Sequence, residues 1–178
     1  MTDWGRATYG DPCRECGYHW SVGPDEAMAL VMATPARYAA LLGDTDGSQR
    51  HPDLAWTAVV YVAHVADNLR IWAERLAALA LGAVGPVTPY NQDLLAQARR
   101  YDELSLLGAL WSLDRATRDW RDAVLLAHAA GVPLVHPERG ELSVLDVVRS
   151  NSHDAYHHGW DIERTVTPDR LRPRSSSP

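Results

Sequence analysis

Apolar residues recur along this chain at helical rather than strand spacing. From about Pro52 to Leu81, Val62, Val65, Leu69 and Leu76 fall on one side while Val60, Ile71 and Leu79 fall on another. That pattern predicts a long helix with neighbours on more than one face. Upstream, "VGPDEAMALVMATPARYAALLG" has Pro24 where a first helical turn tolerates a missing N–H, followed by Asp25 and Glu26 at the positive end of the dipole. Pro35 is expected to interrupt or bend this helix, and Gly43 to stop it. Downstream of the breaker "GAVGPVTPYN", a third helix is expected from about Gln92 to Ala130, long enough to be kinked or divided. Ser143 and Asp146 have the S-x-x-D spacing of a capping box, which starts a fourth helix running to about Arg164. No convincing strand framework emerges. The pattern predicts an all-α four-helix bundle with long connections.

The chain has 178 residues without an internal repeat or compositional break, which suits one domain over residues 1–165. The tail "TPDRLRPRSSSP" is rich in proline, serine and charge, so residues 166–178 are expected to be flexible. The net charge is −6, and the 17 basic residues, all arginine, are dispersed rather than arranged in a stripe, which argues against nucleic acid. No segment approaches the roughly twenty uninterrupted apolar residues of a membrane span, and the amino terminus lacks the pattern of a secretory signal. A cytoplasmic protein without a membrane partner is expected.

The densest chemistry lies in "SNSHDAYHHGWDIER", residues 150–164. On a helix, His153 and His157 are four apart and share a face, with the geometry to hold one metal ion. Two nitrogens do not make a secure site, and His64 inside the second long helix is the candidate to complete it. The bland alternatives are a hydrogen-bonded structural histidine at 64 and ordinary polar residues at 153 and 157. His158 points about 100° away from His157 and is expected outside their shared site. Asp154 and Asp161 read as acceptors that orient imidazoles, or as solvated helix charges. Tyr61 and Asp67 lie three residues either side of His64, where they could move protons or orient the ring. Trp72, Trp111, Trp120 and Trp160 are candidates for an aromatic pocket or for core.

Taken in order, "YVAHVADNLRIWAERLAAL", "RRYDELSLLGALW" and "HPERGELSVLDVVRSNSHDAYHHGWDI" resemble the DinB-like superfamily, in particular a bacterial branch with an early "ECG" segment and a final H-D-x-x-H-H helix. The resemblance spans most of residues 13–163. It implies a four-helix bundle with a left-handed, non-adjacent connection, frequent homodimers, and a divalent metal, zinc or nickel, held by His64, His153 and His157. It also implies a small-molecule substrate and includes enzymes that use a low-molecular-weight thiol such as mycothiol as co-substrate. Three activities are compatible with such a site: thiol transfer or isomerisation, thiol-free metal-assisted hydrolysis or tailoring of a metabolite, and non-catalytic metal or redox sensing.

Cys13 and Cys16 in "DPCRECGYH" have C-x-x-C spacing. No second pair completes a four-cysteine site, and no strand precedes them as in a thioredoxin motif. The pair is expected to bind a second metal with help from His19 and a bundle residue, to approach the histidine site, or to be structural.

Overall fold

The computed structural model describes residues 4–167. The tail beyond Thr167, expected to be flexible, lies outside the described residues. Six helices run in the order α1 (Trp4–Tyr9), α2 (Pro24–Leu42), α3 (Ala58–Ala80), α4 (Gln92–Ala98), α5 (Leu106–Ala130) and α6 (Val144–Val166), with a short hairpin of β1 (Leu134–His136) and β2 (Gly140–Leu142) between α5 and α6. Among the described residues, no helix is long and apolar enough to cross a membrane.

The four long helices form the bundle. α3 packs mainly on α5 and also on α6, while α2 packs mainly on α6 and also on α5. The sequence neighbours α2 and α3 are therefore diagonal, and their link crosses the bundle. From Ala58 to Leu69 every residue of α3 is buried, which is why its apolar positions spread over more than one face. The same burial encloses His64, Asp67 and Asn68. Polar groups are costly in such a position unless they are paired or used.

The details differ from the sequence expectation where tertiary contacts override local signals. Pro35 does not break α2. The face carrying Val31, Thr34 and Tyr38 is buried, and packing of an apolar face outweighs one missing ladder bond. α3 starts at Ala58, not near Pro52, because the backbone N–H groups of Ala58 and Val59 donate to the carbonyls of Gln49 and Gly47, folding residues 51–57 over the helix start. Gly47 has φ +84° and a Cβ there would sit 2.9 Å from the Val59 Cβ, so the crossing needs glycine. The expected third helix is divided at Arg100, whose φ is 52°, and Ser105 caps α5 by accepting from the Gly108 N–H at 3.1 Å. The two three-residue strands are too short for an alternation signal. They pair antiparallel, with Val135 opposite Glu141. The capping box forms as its spacing predicts: Ser143 Oγ accepts from the Asp146 N–H at 3.1 Å and the Asp146 carboxylate accepts from the Ser143 N–H at 3.0 Å.

α2 is fastened to α6 by Tyr38, whose buried hydroxyl donates to the Ala155 carbonyl at 2.6 Å. Gly159 leaves room for this approach, since a Cβ there would lie 3.1 Å from the tyrosine ring. Tyr38→Phe keeps the packing and loses the bond. The carbonyl belongs to a helix and keeps its ladder donor, so the cost should be about 1 kcal/mol rather than the full penalty of an orphaned acceptor. Urea unfolding followed by far-ultraviolet circular dichroism measures it.

Candidate metal centre

Two i, i+4 pairs interleave on α6: His153 with His157, and Asp154 with His158. Consecutive helical residues project about 100° apart, so the two pairs look in different directions. The first faces the amino-terminal segment. The second faces α3.

On the α3 side, one ligand atom each from His64, Asp154 and His158 lies within 4.8 Å of the others. Asp154 Oδ1 is 3.9 Å from His64 Nε2 and 3.6 Å from His158 Nε2. These atoms are too far apart to be good hydrogen bonds and are arranged around a common space. His64 Nε2 is buried and has no hydrogen-bond partner. A buried polar atom without a partner is unusual and costs stability.

The surroundings fix each of these groups. The other nitrogen of His158, Nδ1, is 2.9 Å from Asp161 Oδ2. An Nδ1–H donated there leaves the Nε2 lone pair directed at the shared space. Asn68, one turn beyond His64, donates its amide to Asp154 Oδ2 at 2.7 Å. Burial would raise the Asp154 pKa, but His158, His64 and the Asn68 amide together hold the carboxyl well below its usual range. Burial would lower the His158 pKa, yet Asp154 and Asp161 raise it. Trp56 stands against His64, with ring centroids 5.0 Å apart, and Tyr61 against His158 at 5.2 Å. Burial pushes the Tyr61 hydroxyl up to about 12, so it stays protonated at neutral pH.

On the other side, His153 and His157 come together with Cys13 and Cys16, again with one ligand atom from each within 4.8 Å of the rest. The set His64, His153, His157 is thus not the grouping the fold makes. His64 meets the Asp154/His158 pair instead, because α3 packs against the neighbouring stripe of α6. His158 does point away from His157, as its position dictates, but this turns it toward His64. The signal that could have found it was Asp154-x-x-x-His158, a second pair with the same spacing as the first.

Other expected residues take different places. Asp67 accepts the Tyr101 hydroxyl and pairs with Arg70 at 3.2 Å and Arg99 at 3.1 Å, which ties the segment after α4 onto α3. Its carboxylate is committed there. His19 is exposed. Trp120 is core, donating to Asn151 Oδ1 at 2.9 Å, and Trp111 is 68% exposed. Trp72 and Trp160 each line a cavity.

Two cavities reach the centre. The larger, about 580 Å³, is lined by Trp56, Tyr61, His158, Trp160, Asp161 and Arg164, among others. The smaller, about 190 Å³, has Asp154 and Asn68 in its wall together with Tyr90, Arg75 and Arg139. Arg139 lies over the Trp4 ring at 3.7 Å and its Nε is buried without a partner. Burial lowers the pKa of both arginines from their usual high value. Their charge remains, in a place where little water screens it.

The sequence matches no family model and no curated protein. Among solved structures, the chain is similar to YfiT from Bacillus subtilis, a probable metal-dependent hydrolase with an unusual four-helix bundle topology. The TM-score is 0.67 at 16% sequence identity, covering 84% of this chain and 90% of that one. The chain therefore has a four-helix-bundle fold like that of YfiT, in line with the bundle expected from its sequence.

Proposed function

We propose that this protein is a divalent-metal-dependent enzyme acting on a small anionic molecule, with His64, Asp154 and His158 as the metal ligands. One observation carries the reading: the unpartnered, buried Nε2 of His64 faces a carboxylate and a second imidazole nitrogen that are themselves held in place from behind. Two imidazoles and a carboxylate suit zinc or nickel. Bound by three residues, such an ion keeps a position open for water or a substrate oxygen and supplies Lewis acidity.

The protein's own groups do the rest. Asp161 fixes the His158 tautomer, and Asn68 fixes the Asp154 carboxylate. Trp56 covers His64 and keeps bulk water from it. Arg75 and Arg139 receive an anionic group in the smaller cavity, beside Asp154. Tyr61, still protonated, stands in the wall of the larger cavity and can give its proton to a leaving group.

Water is the nucleophile this arrangement favours, in keeping with the description of YfiT as a probable hydrolase. The thiol-transfer reading, with mycothiol or a similar co-substrate, rests on the superfamily resemblance. Cys13 and Cys16 group with His153 and His157, so neither belongs to the His64 ligand set. A single experiment separates the readings. The zinc- or nickel-loaded protein is incubated with a panel of small anionic esters, amides and electrophiles, first without thiol and then with mycothiol. Turnover without thiol, lost on chelation and restored by metal, is expected. Turnover only with thiol would replace hydrolysis by transfer, and absence of metal binding would reject the site. With a substrate in hand, Arg139→Met should raise KM roughly tenfold with a smaller change in kcat, in line with losing one charge-assisted contact.

A further inference from the structure

We propose that Cys13, Cys16, His153 and His157 form a second metal site, a closed structural zinc site that fastens the amino-terminal segment to α6. Both cysteines are free, and Cys13 and His153 are almost fully buried, at 3% and 5% exposure. Cys13 Sγ lies 3.9 Å from His157 Nδ1, near the spacing of two atoms sharing one tetrahedral ion at bond lengths of about 2.0–2.3 Å.

Each imidazole is set up for ligation. His153 Nε2 is buried with no hydrogen-bond partner. Its ring is held by Tyr9 and Trp20, each with centroids 4.6 Å away, and by Tyr18 at 5.3 Å. The far nitrogen of His157, Nε2, is 3.4 Å from Glu15 and 3.7 Å from Asp161. A carboxylate behind a ligating histidine fixes its tautomer. The cysteines sit on a tight turn in which the Gly17 N–H donates to the Cys13 carbonyl at 3.0 Å, with Gly17 at φ +76°. That turn brings two thiolates to one point, and the His153/His157 pair of α6 supplies the other two ligands.

Four protein ligands fill a tetrahedral ion, so this site differs in kind from the three-residue centre next to it. Zinc here would hold α1 and residues 10–22 against the bundle. Trp4 and Tyr9 of that segment line the smaller cavity, so on the enzymatic reading above the staple also completes the substrate pocket. The staple itself does not depend on that reading.

The test uses the full chain. Cobalt(II) replaces zinc, and thiolate-to-cobalt charge-transfer absorption reports cysteine ligation. The band is expected in the wild type, absent from Cys13→Ser, and retained in His64→Ala, which removes a ligand of the other centre only. The Cys13→Ser protein should contain one zinc fewer per chain, and proteases should cut its amino-terminal segment. Should that variant not fold, wild-type protein treated with a mercurial should release one zinc for two thiols modified. A wild type without the cobalt band, or with Cys13 and Cys16 joined in a disulfide, or alkylated at one rate with and without zinc, would overturn the proposal. Loss of metal only in His64→Ala would overturn it too while leaving the catalytic centre standing.

Discussion

His64→Leu is expected to weaken metal binding at the α3–α6 centre by more than about 100-fold while leaving the metal-free protein at least as stable as the wild type. Loss of a partner merely behind a ligand costs about 10–100-fold, and a ligand itself should cost more. The stability prediction has the opposite sign. In the metal-free protein His64 Nε2 is a buried polar atom without a partner, the kind of group whose desolvation costs about 1–3 kcal/mol. Leucine removes it and fills most of the space against Trp56. Metal at a hundred times its dissociation constant stabilises a protein by about 2.7 kcal/mol, which corresponds to a rise of about 5–11 °C in Tm at roughly 2–4 °C per kcal/mol. With the cysteine site loaded in both proteins, the wild type should show that rise on filling the His64 centre and His64→Leu should show almost none. Equilibrium dialysis and thermal melts with and without metal decide the matter. A variant that binds as tightly as the wild type would remove His64 from the centre, and one that melts well below it without metal would give the imidazole a structural role instead.

The bundle was legible because its signals are local and repeated: helical spacing of apolar residues, a proline and two acids opening α2, and a capping box opening α6. The boundaries that moved depend on distant contacts. Nothing near Pro35 announces that Tyr38 will anchor α2 to α6, and nothing in residues 52–57 announces that Gly47 will fold them over Val59. The candidate ligands were legible in composition, but which of them the fold brings together was not. His153 and His157 share a face, which spacing reveals, but which helix that face meets depends on the rotation of α6 in the bundle. A turn of about 100°, one residue, decides whether His64 meets His157 or His158. The role expected of Asp67 was lost for a similar reason, since Arg99 and Tyr101 reach it only because the chain after α4 returns to α3.

Asp161 is the residue through which the two centres touch, and Asp161→Ala should affect them unequally. Its Oδ2 is 2.9 Å from His158 Nδ1, a full hydrogen bond, and 3.7 Å from His157 Nε2, beyond one. The carboxylate is nearly buried, at 4% exposure, so its hold on His158 is not diluted by solvent. Removing it leaves the His158 N–H without its acceptor and frees the ring to rotate or change tautomer. Metal affinity at the His64 centre should fall about 10–100-fold. His157 keeps Glu15 at 3.4 Å behind the same nitrogen, so the cysteine site should lose less than about tenfold. Asp161→Asn separates orientation from charge. The amide oxygen can still accept from Nδ1–H and hold the tautomer, but it no longer makes the imidazole a better donor. An asparagine variant close to the wild type would mean that Asp161 acts by holding the ring in place, whereas one as weak as alanine would mean that its charge supplies the effect. Competition titrations with a chromophoric chelator resolve the two affinities, and equal losses at both centres would contradict the distances on which the unequal effect depends.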